Sequence, residues 1–496
     1  MSLINVQNLT FAYEGSYDNV FENVSFHIDT DWRLGFTGRN GRGKTTFLNL
    51  LMGKYEYIGS IAASVDFEYF PYPVADMTRF TMEVAEDINP DLPQWRLEKE
   101  LSKLAVDEDV LWRPFETLSN GERTKVLLAV MFSKDNSFLL IDEPTNHLDH
   151  LARQQVADYL KTKKGFILVS HDRAFLDGCV DHILSINKAD IEVVKGNFST
   201  WYENKELRDR YETEKNEELK KDIRRLTESV REKAEWSNRA EKRKVGIDPN
   251  KVDVTKGWAP KQAAKAKKQM ARSKAIETRR QTAIEEKSAL LKNIEEAESL
   301  KLHPKDFHSK RLVEAKDLCL YYDERKIFGP ISFEINRGDR VALAGANGSG
   351  KSSLIKLLLG ENISYTGQLL VAKGLDISYV SQDASNLSGT IEEFENGRGL
   401  DPVLFRAILR KLDFSRTQFE KNFEDYSQGQ KKKVLIAASL CDPAHLYVWD
   451  EPMNYIDVLS RIQLEELIQK YEPTLLFVDH DKTFRENVAT KIVELK

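Results

Sequence analysis

Residues 38–47 read GRNGRGKTTF and residues 345–354 read GANGSGKSSL. Both fit the pattern GxxxxGK[ST]. Glycines at these places free backbone N–H groups to turn toward phosphate oxygens, and the helix that follows adds the favourable field of its N-terminus. Lys44 and Lys351 are spaced to reach the phosphates, and Thr45 and Ser352 to offer a hydroxyl to Mg2+. One chain of 496 residues carries this loop twice.

The duplication extends beyond the loops. An apolar run ending in an acidic pair occurs as FLLIDEPTNHLD (Asp142, Glu143) and again as LYVWDEPMNYID (Asp450, Glu451). The loop lysine and the glutamate are 99 residues apart in the first half and 100 in the second. TLSNGE (Ser119) and DYSQGQ (Ser427) follow their lysines by 75 and 76 residues, and LVSHD (His171) and FVDHD (His480) follow their glutamates by 28 and 29. Four landmarks in register mark a tandem duplication of a domain of about 200 residues. The boundaries expected are 1–200 and 301–496, with a spacer over 201–300. FLLIDE and GFILVSHD are short apolar runs bounded by turn residues, as buried strands should be. Each half therefore reads as an α/β domain with a mainly parallel sheet flanked by helices.

Composition narrows the class. The chain is 41% apolar and 31% charged, with a formal net charge of -6. It has no run of 18 apolar residues to cross a bilayer. Its opening, MSLINVQNLTF, lacks the basic stretch and apolar core of a secretory signal. Cys179, Cys319 and Cys441 show no CxxC spacing and read as reduced, buried thiols of a cytoplasmic protein.

In the spacer, charge dominates and Gly and Pro nearly vanish. Leu219, Ile223, Leu226 and Val230 recur at helical spacing, as do Ile276, Ala283, Leu290, Ile294 and Ala297. The pattern predicts two antiparallel helices packed as a coiled-coil hairpin. Gly246, Pro249, Gly257 and Pro260 punctuate its turn, so the tip lies at about 244–260. Residues 231–280 hold 16 Lys/Arg and 6 Asp/Glu, a net of +10, which leaves -16 for the rest. An acidic body with a basic arm suits a polyanionic partner. Lys261, Lys265, Lys268 and Arg272 form one basic face, a geometry suited to RNA phosphates. Trp258 stands at the turn, placed to stack on a base, with Lys244 and Lys256 flanking it.

The acidic pairs carry the expected chemistry. Asp142 and Asp450 would complete a metal shell, and Glu143 and Glu451 would orient or deprotonate an attacking water. His171 and His480 would contact the terminal phosphate. The set GxxxxGK[ST], SxGxx, apolar-DE and a downstream His resembles the ATP-binding-cassette (ABC) ATPases over both halves. In that superfamily two cassettes face head to tail, and ATP lies between the phosphate loop of one and the serine-glycine signature of the other. The resemblance implies ATP and Mg2+ as cofactors. It assigns ATP contacts to Gly38, Asn40, Gly41, Gly43, Lys44, Thr45 and Thr46, and to Gly345, Asn347, Gly348, Gly350, Lys351, Ser352 and Ser353. From the signatures it adds Ser119, Gly121 and Glu122, with Ser427, Gly429 and Gln430, and it places Tyr13 and Tyr322 on adenine. Gln382, in YVSQD, matches the glutamine the family places at the metal; the first half reads FEYFPYPV there, without one. Two working but unequal sites are expected.

Two cassettes joined by a helical linker of this length resemble the ABC-F family, ATPases that enter the ribosomal exit site and reach along P-site tRNA toward the peptidyl transferase centre of 23S rRNA. Tyr72 to Ser119 spans 47 residues and Gln382 to Ser427 spans 45, so the first cassette lacks the second arm found in many housekeeping members. MSLINVQNLTFAYEG, WRLGFTGRNGRGKTTFLNLL and KRKVGIDPNKVDVTKGWAPKQAAK look similar to the Lsa-type resistance subgroup. That likeness implies protection of the 70S ribosome from lincosamides, pleuromutilins and streptogramin A. It also implies a cytoplasmic monomer, its two cassettes forming an intramolecular dimer, that works without a membrane partner. A housekeeping translation factor and the ATPase subunit of a transporter are the alternatives.

Overall fold

The structure is a computed structural model, and it describes all residues except 1, 15–18, 146–147, 188–189, 246–299, 303, 323–324, 347, 480 and 496. Contacts divide the chain into two units, Met1–Trp201 with Ala297–Lys496, and Tyr202–Glu296.

The first unit contains the same αβ arrangement twice. In the first copy, β1 (Leu3–Phe11), β2 (Phe21–Asp29) and β4 (Ile58–Ala62) form an antiparallel sheet in the order β2-β1-β4. Beside it lies a six-stranded sheet in the order β5-β6-β7-β3-β8-β9, with β3 (Arg33–Thr37), β5 (Asp66–Phe70), β6 (Ser137–Asp142), β7 (Phe166–Val169), β8 (His182–Asn187) and β9 (Asp190–Lys195). All its pairings are parallel except β8–β9. Its helices include α1 (Lys44–Leu51), α2 (Thr81–Ile88), α3 (Gln94–Lys103), α4 (Asn120–Met131), α5 (His150–Lys161) and α6 (Arg173–Cys179). The runs expected to be buried strands are so: Phe138 through Ile141 and Phe166 through Val169 are each at most 2% exposed. The antiparallel sheet went unread in the sequence, because its strands alternate buried and exposed positions over uneven bulges and give no continuous apolar run.

The second copy repeats this. The antiparallel sheet is β11-β10-β13, with β10 (Arg311–Tyr322), β11 (Arg325–Asn336) and β13 (Ser364–Val371). The parallel sheet is β14-β15-β16-β12-β17, with β12 (Arg340–Ala344), β14 (Ile377–Val380), β15 (Leu446–Asp450), β16 (Leu475–Val478) and β17 (Lys491–Glu494). Its helices include α8 (Lys351–Leu358), α9 (Ile391–Arg398), α10 (Pro402–Lys411), α11 (Gln428–Cys441), α12 (Val458–Tyr471) and α13 (Lys482–Val488). The fully buried Trp449 and Tyr447 of β15 anchor its core. The functional segments of both copies leave the carboxyl ends of parallel strands, where α/β sheets place ligand sites.

Between the copies runs α7 (Phe198–Val245), a single helix of 48 residues. Phe198 and Trp201 bury its first turn. Leu219 and Ile223 of the expected seam are half-buried, while the side chains of Leu226 and Val230 and the whole second arm lie outside the described residues. No described helix is long and apolar enough to cross a membrane. Cys179 and Cys319 are buried and free, as expected; Cys441 is free but only half-buried.

Candidate nucleotide sites

Both phosphate loops have the backbone their glycines require. Gly41 and Gly43 have φ of 81° and 93°, and Gly348 and Gly350 have 80° and 89°, a left-handed region that side chains strain to adopt. A Cβ at Gly43 would lie 2.5 Å from Val20, and one at Gly350 would lie 2.6 Å from Ile327. Gly43 and Gly350 cap α1 and α8, so each lysine opens its helix. Lys44 Nζ donates to the carbonyls of Gly38 (2.7 Å) and Arg39 (3.2 Å). Lys351 Nζ donates to those of Gly345 (3.0 Å) and Ala346 (2.8 Å). Each lysine thus folds over its own loop, poised to exchange carbonyls for phosphate oxygens. Gly38 and Gly345 start the two loops; Asn347 lies outside the described residues.

The acidic pairs sit beneath the loops. Thr45 Oγ1 donates to Asp142 Oδ2 at 3.2 Å, and Tyr69 OH donates to the same oxygen at 2.9 Å. In the second copy Ser352 hydrogen-bonds Asp450. Asp450 Oδ1 is buried and accepts no hydrogen bond among the described residues, an oxygen fit for a metal-bound water. Burial pushes both aspartate carboxyls above their ordinary range. The next residues, Glu143 and Glu451, have φ of 51° and 49°. This strained turn is found in both copies, and such strain clusters at working sites. Each glutamate N–H caps the neighbouring strand, Glu143 to Val169 O and Glu451 to Val478 O, both at 2.9 Å.

The two glutamates then differ. Glu451 Oε2 accepts from Gln382 Nε2 (2.9 Å) and Asn454 Nδ2 (2.6 Å). Glu143 Oε1 lies 3.3 Å from His171 Nε2 and accepts no aligned hydrogen bond among the described residues. Burial, with Asp142 alongside, pushes its carboxyl up to about 8. Burial, then Lys44 and Arg461, hold the His171 imidazole far below its usual range, so it is neutral there. His480 lies outside the described residues.

Each site is built by both copies. Asn40 Nδ2 donates across to Tyr455 O at 2.8 Å, and Arg42 pairs with Asp413 at 3.1 Å. A Cβ on Gly429, in the signature after Ser427, would meet Asn40 Nδ2 at 3.0 Å. Arg173 pairs across with Glu465. On the other side, a cavity of about 660 Å³ is lined by Tyr322, Gly348, Lys351, Ser352, Ser353, Gln382 and Glu451 of the second copy, and by Asn120 and Leu148 of the first. The Lys351 loop therefore shares a cavity with the start of α4, and the Lys44 loop packs on the start of α11.

Both signatures are helix caps. Ser119 Oγ accepts from Glu122 N while Glu122 Oε2 accepts from Ser119 N, and Ser427 and Gln430 repeat the arrangement. The side chains of Glu122 and Gln430 close their own helices, so the groups left to face an anion are the serines and the first-turn N–H groups, including those of Gly121 and Gly429. Tyr322 is 46% exposed on the cavity wall. Tyr13 is tied down: its hydroxyl is 2.6 Å from Thr46 Oγ1 and its ring meets Phe11 and Tyr55. Lys244 lies in the last turn of α7, its side chain undescribed; Lys256, Trp258, Lys261, Lys265, Lys268 and Arg272 fall outside the described residues.

Sequence reasoning overlooked several residues. Asp149 and Asp457 follow the two glutamates at equal spacing and cap α5 and α12. Asp457 acts on Lys44, and Asp149 on Lys351, each across the copies. The register of NHLD against NYID was the signal that could have found them. Tyr69 and Lys432 were also missed. Lys432 Nζ donates to Ser381 O (2.7 Å), Gln382 O (3.2 Å) and Asp450 O (3.2 Å), and burial pulls it down to about 8.

A family model described as ABC transporter matches residues 21–146 and 328–454. Ribosome protection protein VmlR of Bacillus subtilis (strain 168) is 30% identical over 489 residues, covering 96% of this chain and 84% of its own. ATP-binding protein Uup of Caulobacter vibrioides is 28% identical, covering 96% and 74%. Erythromycin resistance ATP-binding protein MsrA of Staphylococcus epidermidis is 28% identical, covering 93% and 92%. Among solved structures, an archaeal ribosome recycling factor crystallised with a stalk protein shares the fold at a TM-score of 0.61 and 18% identity, over 98% of this chain and 87% of that one. Matched by that family model over both copies, this chain belongs to the ATP-binding-cassette family, in its ABC-F branch, and is an ATPase.

Proposed function

We propose that the chain binds the ribosomal exit site and protects the peptidyl transferase centre from lincosamide, pleuromutilin and streptogramin A antibiotics, with ATP hydrolysis driving its release. The observation that carries the ATPase part is the cavity shared by the Lys351 loop and Asn120 of the opposite copy. Support for the ribosomal part comes from the name of VmlR and from the basic composition of residues 231–280, and support for resistance from the name of MsrA. In this reading the cassettes span 1–200 and 301–496, and the spacer is a coiled-coil arm whose tip meets 23S rRNA and P-site tRNA through Trp258 and its flanking basic residues.

The chemistry follows from the geometry. ATP lies against the phosphate loop, held by Lys44 or Lys351, with Ser427 or Ser119 of the opposite copy closing over its terminal phosphate. Mg2+ would be held by Thr45 and Asp142 in one site and by Ser352, Gln382 and Asp450 in the other, and it supplies neutralising charge at the phosphates. Glu143 or Glu451 takes a proton as a water oxygen attacks the terminal phosphorus, and ADP leaves. His171 and His480 hold the phosphate being cleaved. The protein then acts in the cytoplasm as a monomer.

The test combines turnover with protection. Glu143→Gln with Glu451→Gln should lower ATP turnover about 100-fold or more, since a positioned base contributes on that order, and the variant should pellet with 70S ribosomes in ATP. Replacing residues 246–258 by a short glycine linker should abolish resistance to lincomycin and keep ribosome binding. Near wild-type turnover in the double variant would refute the assignment of the bases. Full lincomycin resistance without the tip would refute the arm as effector.

A further inference from the structure

Helix α11 touches both nucleotide sites. Its first turn, at Gly429, packs on Asn40 of the Lys44 loop. One turn further on, Lys432 reaches groups of its own copy. Its side chain is 2% exposed, and its ammonium is shared among three carbonyls. Two belong to Ser381 and Gln382, the loop that brings Gln382 to Glu451; the third is that of Asp450, at the end of β15. An ammonium with three donors and three acceptors fixes helix, loop and strand end to one another, with the Asp450 and Glu451 charges alongside. Lys432 also lines the cavity beside Lys351. Five residues after the other signature serine stands Thr124, too short and uncharged to span the same gap.

We propose that Lys432 is a positioning residue: it holds Gln382 and Asp450 in place for turnover at the Lys351 site, and it couples that site to occupancy of the Lys44 site through α11. The tie exists in one copy only, because α4 carries Thr124 where α11 carries Lys432; within that copy the coupling is reciprocal. A phosphate that pulls on Ser427 moves α11, and Lys432 carries that movement to the groups around Glu451. In α4, under Ser119, the matching position is Thr124, and the neighbouring Lys125 bonds Gln155 instead.

This inference rests on the assignment of Glu143 and Glu451 as bases, and its experiment keeps the two separable. Steady-state phosphate release by the full chain is measured in a Glu143→Gln background, where turnover reports the Lys351 site. Lys432→Met should lower kcat about tenfold or more while ATP KM changes less than about threefold, since a small displacement near the reacting groups costs rate. The Mg2+ concentration for half-maximal rate should rise, and Lys432→Arg should recover most of the loss. Thr124→Ala in a Glu451→Gln background should change turnover less than about twofold. If Lys432→Met does not fold, Lys432→Gln, which keeps one donor and loses the charge, is read in the same way. A kcat within twofold of the parent, or an equal loss with Thr124→Ala, overturns the inference. A Glu143→Gln, Glu451→Gln chain that still hydrolyses ATP overturns the underlying assignment instead.

Discussion

The Lys44 and Lys351 sites share their loops, their acidic pairs and even the left-handed backbone of their glutamates, yet they stand in different states. Around Lys44 the copies are drawn together: Asn40 reaches Tyr455 and Arg42 reaches Asp413. Around Lys351 they leave a cavity of about 660 Å³, with Tyr322 on its wall and Gln382 hydrogen-bonded to Glu451. The difference teaches that repeated motifs specify the groups of a site, while the packing of the opposite copy specifies whether those groups are accessible. Where the second copy has Gln382, the first has Tyr72, and Tyr69 holds Asp142 through its hydroxyl. Asp142 takes both Thr45 and Tyr69 on one oxygen, Oδ2, while Asp450 is bonded by Ser352 and its buried Oδ1 accepts no hydrogen bond among the described residues.

Asp457, paired with Lys433 of its own copy and acting on Lys44 of the other, tests how far cross-copy charge holds the Lys44 site closed. Lys433 and Asp457 meet at 2.7 Å, and Asp457 is fully buried. Despite burial, Lys433 and then Lys44 keep the Asp457 carboxyl far below its ordinary range. A carboxyl depressed on folding stabilises the protein above its unfolded pKa of 3.8, and that stability is lost as pH falls below it. Asp457→Asn should cost about 3 kcal/mol at neutral pH, because it strands a buried cation. The gap between variant and wild type in chemical unfolding should be flat above about pH 5 and narrow below about pH 4. A gap that does not narrow in acid would detach Asp457 from the charge cluster.

A smaller effect is expected at Tyr69. Burial, then the Asp142 charge and the hydrogen bond to it, raise the phenol well above its ordinary value, so it stays a donor at any working pH. Tyr69→Phe should cost about 1–2 kcal/mol in unfolding, the worth of one hydrogen bond to a charged acceptor. It should also free Asp142 for metal, so the Mg2+ requirement of the Lys44 site should fall in a Glu451→Gln background. An unchanged Mg2+ requirement would show that Tyr69 does not compete for Asp142.

Much of this was legible in the sequence, and for a reason. The motifs expected to meet phosphate lie in local segments with fixed spacing, and duplication displays the spacing twice. The loop lysines, the acidic pairs and the capped signature serines stand out in the sequence for that reason. Residues that act through the backbone were not. Lys432 binds three carbonyls, and carbonyls leave no mark on side-chain pattern. Tyr69 read as one more aromatic on a strand. The accessibility of each site depends on bonds between residues hundreds of positions apart, such as Asn40 with Tyr455, which no local pattern encodes.

The two sites are expected to be unequal, with the Lys351 site carrying most of the turnover. The most direct measurement is steady-state phosphate release by Glu143→Gln and Glu451→Gln separately, with the double variant as the floor. Glu451→Gln should lose about tenfold or more of the rate and Glu143→Gln no more than about threefold, on the scale of removing one positioned base. Equal losses from the two single variants, or a larger loss from Glu143→Gln, would contradict it.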